Sequence, residues 1–398
     1  MRVTTAQTFD AGIDSLQRRQ EELHRLQKQL TSLKRVERAS DDPAAAARAE
    51  RALARIGRAE TDLRAVEASR TAMTQTESAL GDATDLLQQV RETLVAAGNA
   101  SYSDTERAAL ADRLRGLREQ LLAVANRPDG AGGYLFSGQG AASPPFVDAP
   151  GGVVFAGVPG EVQVVAGERM PITADGRAAW LSAPSGNGVF ETRAVPGSSG
   201  AWIDAGRVSD PAAVTGSTYR IDFSVVGGIT TYSVLRDGAP TPLVNVPYTS
   251  GAAITVDGQS VTVRGTPAHG DGFTLAPSTP SLSVFDAIDR ASAALATPAR
   301  TAAQITQANQ FALRDVDAAM NRLSVVRAAA GETLNRADGL EQRLVDGRLD
   351  AQTERSAAED LDMVKAISEF QARQSGYDAA LKTYSMVQRL SLFEYLRG

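Results

Sequence analysis

Apolar residues recur every seven positions over both ends of the chain. Phe9, Leu16, Leu23 and Leu30 share one register, and Leu26 and Leu33 fill the complementary position. Val66, Met73, Leu80, Leu87 and Leu94 hold a second register. Leu110, Leu114, Leu117, Leu121 and Val124 alternate by fours and threes. Toward the carboxyl end Val316, Leu323, Ala330, Ala337 and Leu344 keep one register, and Phe370, Tyr377 and Tyr384 another. Sevens sustained this long predict supercoiled helices, because a strict seven-residue stripe stays against a partner only if the helices wind around each other. A helix over residues 45–97 would be roughly 80 Å long at about 1.5 Å per residue.

The joints are legible too. Ser40-Asp41-Asp42-Pro43 sets a capping side chain before a proline, which ends one helix and starts the next. Ser101 to Glu106 does the same between the second and third helices. Gly331, Asp338-Gly339 and Asp346-Gly347 weaken the carboxyl-side helix, so a kink or break is expected there.

The centre changes pattern. Tyr219 to Val225 alternates apolar and polar residues, as does Val261 to Arg264, and both read as strands with one buried face. Asp-Gly pairs begin at Asp129, Asp175, Asp237, Asp257 and Asp271, which predicts tight hairpins. Residues 128–280 hold 25 of the 35 glycines and 15 of the 17 prolines, but only 19 of the 88 charged residues. Similar ends around a different centre predict an α+β fold: a discontinuous long α-helical coiled-coil rod formed by both termini, with an inserted antiparallel β domain. The expected division is 1–42 with 358–398 as a terminal coiled coil, 43–139 with 281–357 as a helical rod, and 140–280 as the insertion.

Composition narrows the chemistry. The 398 residues carry a formal charge of −6, unsuited to a phosphate backbone as main partner. There is no cysteine, which excludes disulfides and thiolate chemistry, and the two histidines, His24 and His269, lie far apart. No lysine follows a glycine, so the phosphate-binding loop is missing. Gly138-Gln139-Gly140 is a fragment of a dinucleotide fingerprint and reads as a flexible loop. Asp41-Asp42 reads as a helix cap rather than an acid–base pair. His24 falls on an exposed helical position and His269 in a glycine-rich turn. The Tyr377/Tyr384 stripe reads as packing. These residues predict neither an enzyme nor a cofactor or metal site. No uninterrupted apolar run of membrane-spanning length occurs, and the amino terminus lacks the apolar core of a secretory signal. On these grounds alone the chain reads as cytoplasmic.

The termini then become specific. Gln29 to Val36, followed by Ala39-Ser40-Asp41-Asp42-Pro43 and an alanine-rich run to Ala49, resembles the amino terminus of the flagellin and hook-associated protein family. Ser385 to Leu396 is similar to its junction-protein branch, as are Gly133-Tyr134-Leu135-Phe136-Ser137-Gly138, Pro145-Phe146 and Ser283 to Ile288. The resemblance covers about residues 1–146 and 265–398. Two departures stand out: Leu33 replaces a frequent glycine, and Thr333 a frequent arginine. Both positions read as helical, where leucine for glycine strengthens a helix by about 1 kcal/mol.

The resemblance implies a structural adaptor between hook and filament, assembled as a ring. Its implied neighbours are further copies, a hook-associated protein on the hook side and flagellin on the filament side. An export chaperone and the flagellar type III export apparatus are implied as well, with no nucleic acid and no membrane insertion. It also replaces the cytoplasmic reading: the implied place is the extracellular flagellum, reached without a cleaved signal peptide. Heptad faces that one subunit cannot bury make Phe9, Leu16, Leu23, Leu30, Phe370, Tyr377 and Tyr384 the expected assembly interface. Two other readings remain open at this point: a flagellin filament subunit, and a binding module displayed by the β domain on a helical stalk.

Overall fold

The computed structural model describes residues 5–99, 101–141 and 143–395, with side chains described from residue 10 to residue 386. Long helices come from both ends: α1 (Thr5–Ser32), α2 (Pro43–Ala97), α3 (Asp104–Ala125), a short α4 (Gly176–Trp180), α5 (Val284–Ala296), α6 (Ala302–Glu359) and α7 (Met363–Tyr395). Two compact units divide the chain: residues 1–64 with 340–398, and residues 65–339.

In the first unit α1 packs against α7. The start of α2 follows from its cap: the Asp42 carboxylate accepts the Ala45 N–H at 3.0 Å, and Pro43, which has no N–H to satisfy, takes the first helical position. One expectation fails here. Leu33 is not helical; α1 ends at Ser32, and Leu33 turns the chain in the left-handed region at φ +60°. A Cβ there is sterically crowded, which explains why glycine suits the position. Leucine at 33 therefore strains a turn rather than strengthening a helix.

In the second unit, the seven-residue registers are buried as far as Ala337, while Leu344, the last position and in the first unit, is half-buried. Val66, Met73, Leu80, Leu87 and Leu94 on α2 are all buried, as are Val316, Leu323, Ala330 and Ala337 on α6. Ser103 and Glu106 form a reciprocal capping box at the start of α3. No break interrupts α6, which runs through Gly331, Gly339 and Gly347. Each glycine costs about 1 kcal/mol of helix propensity, and buried side chains on either side outweigh it.

Phe146 and Phe285, from the way into and the way out of the insertion, meet Phe136 and Trp180 in one aromatic core. Phe136 meets Trp180 edge-on at 5.4 Å, Phe285 stacks on Trp180 at 5.9 Å, and Phe146 lies 6.1 Å from Phe285. Asn126, ending α3, holds both backbone groups of Phe146 with its amide, at 2.8 and 2.9 Å. Gly138 is not a loose loop residue: its φ is +66°, and a Cβ there would collide with the Val158 carbonyl oxygen.

Beyond this core lies the antiparallel insertion. A six-stranded sheet runs in the order 239–240, 229–236, 219–226, 272–277, 190–194, with 246–247 beside 229–236. A four-stranded sheet runs 253–256, 259–265, 201–203, with 207–208 beside 259–265. Together they bury Phe190, Ile203, Tyr219, Ile221, Val263 and Phe273. Two of the five Asp-Gly pairs make the expected hairpins, Asp237-Gly238 and Asp257-Gly258, each with both residues at positive φ. Asp175 instead caps α4 through the Ala178 N–H. Asp129 closes a loop by accepting the Ala131 and Gly133 N–H groups. Asp271 is buried and accepts from Ser199, Gly200 and Ala268.

Candidate assembly surface

α1 and α7 lie antiparallel in a constant register. A Cβ on Gly12 would sit 3.3 Å from the Tyr384 ring, Glu22 pairs with Arg373, the Arg19 guanidinium lies against Gly376, and just past the helix ends the backbones of Lys34 and Asp360 pair. Residue numbers at these four crossings add to nearly the same value, as they must for two helices aligned side by side. Along α1, Leu16, Leu23 and Leu30 are half-buried and Leu26 is 7% exposed; along α7, Phe370, Tyr377 and Tyr384 are half-buried around buried Ala366. The structure thus puts the two predicted stripes on one helix pair. The side chain of Phe9 lies outside the described residues.

A pair of helices buries one stripe of each and leaves the rest open. Val364 is 80% exposed and Met386 58%, and Ile13, Ile367 and Leu381 are exposed as well.

At the end of this pair the two breaks between helices, after α1 and after α6, face each other. The Leu33 carbonyl accepts the Leu361 N–H at 3.0 Å, and Arg35 donates its N–H to the Glu359 carbonyl at 2.7 Å. Side chains cross the same gap: Arg35 reaches the Ala358 carbonyl at 2.6 Å and Asp42 at 3.1 Å, and Lys34 reaches Glu359 at 3.3 Å. Lys28 pairs with Glu37. These contacts hold three carboxyls below their ordinary range: Glu37 chiefly through Lys28, Asp41 chiefly through the Arg38 N–H, and Asp42 chiefly through the Ala45 N–H. Asp42 is therefore the cap of α2, and Asp41 closes the turn before it. Asp41 accepts the N–H groups of Glu37 and Arg38, at 3.2 and 2.9 Å.

Both histidines sit where their local sequence placed them. His24 is exposed on α1, and His269, in its turn, accepts the Val225 N–H at 3.4 Å. Among the described residues, no group of three or more acidic or histidine side chains is placed to hold a metal, and no helix is long and apolar enough to cross a membrane.

Comparison with known proteins adds the same picture from outside. Residues 6–141 match the family model of the bacterial flagellin N-terminal helical region. Residues 196–277, where no sequence motif was legible, match the D2-like domain of flagellar hook-associated protein 1. Flagellar hook-associated protein 3 of Salmonella typhimurium is 36% identical over 156 residues, 38% of this chain and 48% of the relative. That of Escherichia coli is 34% identical over 155 residues. The chain spans about half the length of the curated relatives it matches. The crystal structure of flagellar hook-associated protein 3 from Legionella pneumophila superposes with a TM-score of 0.72 at 26% identity, over 76% of this chain and 97% of that one. FlgL from Xanthomonas campestris gives 0.68 at 27% identity, over 77% and 99%. In sequence and in fold, this chain resembles flagellar hook-associated protein 3, and its residues 6–141 match the helical amino-terminal region of the flagellins.

Proposed function

We propose that the chain is a structural subunit of the bacterial flagellum, an adaptor between hook and filament on which filament attachment depends. The observation that carries this reading is the α1–α7 pair: both terminal helices join in one antiparallel pair, and Val364, Ile367, Leu381 and Met386 of α7 stay exposed outside its seam. Such a face gains free energy from neighbours, about 25 cal/mol per Å² of apolar surface covered. The names of the relatives, hook-associated protein and junction protein, support the same place in the assembly.

In this reading copies of the chain form a ring, with a hook-associated protein on one side and flagellin on the other. The subunit travels through the flagellar type III export apparatus, escorted by a chaperone, and works outside the cell. Leu16, Leu23, Leu30, Phe370, Tyr377 and Tyr384 hold the terminal pair in the form that assembles. Catalysis has no part in it.

The test is the double replacement Leu23→Asp, Leu30→Asp in a strain lacking the native protein. Each half-buried leucine contributes on the order of 1 kcal/mol, and a carboxylate in its place adds a desolvation cost. The expected outcome is export of a protein with an intact β domain, no attached filaments, and flagellin lost to the medium. Normal filament attachment would refute the reading.

A further inference from the structure

Only two strands connect the β domain to the helices. Ala183–Pro184 leads in, Pro280–Leu282 leads out, and the two pair with an irregular register in which Pro184 faces Pro280. Neither proline has an N–H to give to the ladder, and an isolated two-stranded ribbon is weak. Packing braces only its root: Ala183 and Leu282 bury together with Ala287, and Ala318 of α6 packs on them. A cavity of about 720 Å³ opens beside it, with Pro184 and Pro280 on one wall and Leu313, Asp317 and Asn321 on the other. With these contacts alone the domain would swing.

A second set of contacts lies on α6 itself. Ile203 pairs with Val263 on one side of its strand. On the other side the Gln307 amide takes the place of a neighbouring strand: its oxygen accepts the Ile203 N–H at 2.7 Å and its nitrogen donates to the Ile203 carbonyl at 2.9 Å. Gln307 is buried. Seven residues on, Arg314 donates to the Thr192 carbonyl at 3.0 Å and pairs with Glu191 at 3.4 Å. Its guanidinium is fixed by Asp315 at 2.8 Å and lies 4.6 Å from the centre of the Phe311 ring, which packs on the β core. Thr301, just before α6, donates to the Ser199 carbonyl at 2.8 Å. Residues 307, 311 and 314 share one helix face by their spacing.

We propose that Gln307 and Arg314 are positioning residues that clamp the β domain to α6, turning a two-strand ribbon into a joint that does not swing, with the cavity as the space the domain enters once the clamp is lost. Buried amide and guanidinium bonds of fixed geometry set an angle in a way that apolar contact alone does not. This inference goes beyond the adaptor reading and does not rest on it.

The chain has no cysteine, so spin labels can be placed at will. Labels at Ala109→Cys on α3 and Ala239→Cys in the β domain, both exposed positions, report the angle as a distance distribution by pulsed dipolar spectroscopy. With the clamp intact, one narrow distribution is expected. In Gln307→Ala, Arg314→Ala it should be lost, giving a broad or multi-peaked distribution while Trp202 emission still reports a folded β domain. A broad distribution with the clamp intact overturns the proposal whatever the variant does. So does a folded variant that keeps the narrow peak.

Discussion

Replacing Leu33 with alanine, and separately with glycine, reads the backbone of the turn directly. Leu33 follows the last residue of α1 at φ +60°, with its side chain 55% exposed. Both replacements remove the same side-chain contacts, so the difference between them isolates the backbone. A left-handed residue with a Cβ costs roughly 1–2 kcal/mol, which glycine does not incur. The greater freedom of glycine in the unfolded chain offsets about 0.5–1 kcal/mol of that. The glycine variant should therefore hold the turn about 0.5–1 kcal/mol better than the alanine variant. Inside a helix the sign reverses, with glycine about 1 kcal/mol worse. The natural reporters are the amides of Arg35 and Leu361, which bond across the paired breaks. Hydrogen exchange should find them roughly two- to five-fold more protected with glycine than with alanine. Equal or faster exchange in the glycine variant would refute a left-handed turn at residue 33.

The aromatic core gives a larger effect. Phe285→Ala removes a fully buried ring stacked on Trp180 and should cost about 3–5 kcal/mol in urea denaturation followed by Trp180 emission; a loss under about 1 kcal/mol would contradict its place in the core. The paired breaks should weaken in acid. Glu37, Asp41 and Asp42 are held below their ordinary pKa, so they bind protons less readily folded than unfolded. Their contribution is complete above the ordinary carboxylate range and is lost as pH falls through the lowered values, below about pH 4. Exchange at Arg35 and Leu361, corrected for the intrinsic rate, should accelerate over that window, and less so in Asp42→Asn; a flat profile would remove the carboxylates from the account.

Periodicity was a good guide wherever one stripe meets one partner. Val66 to Leu94 and Val316 to Ala337 are buried because a seven-residue repeat can do little else between long helices. The stripes of α1 and α7 were legible as pairing stripes for the same reason. Asp-Gly pairs were a poorer guide, because aspartate has several uses. At 237 and 257 the pair turns a hairpin, but at 175 the carboxylate caps a helix and at 271 it gathers backbone N–H groups from a distant loop. Gly227-Gly228 makes the same hairpin conformation without any aspartate. Leu33 was misread because leucine favours helix by propensity, and only the chain's path forces it left-handed. Asn126 and Gln307 carried no local signal. Each is a polar residue on or at the end of a helix, and the strand it completes lies far along the chain, 104 residues away for Gln307.

The adaptor reading stands or falls on where the chain sits. Electron cryomicroscopy of intact flagella, with the chain located by fitting its own fold into the density, answers that in one image. The account predicts a ring of copies between hook and filament, with the α1–α7 pairs of adjacent copies in contact through the face that carries Val364, Ile367 and Leu381. Copies repeating along the filament, or a hook joined directly to flagellin with this chain elsewhere, would contradict it.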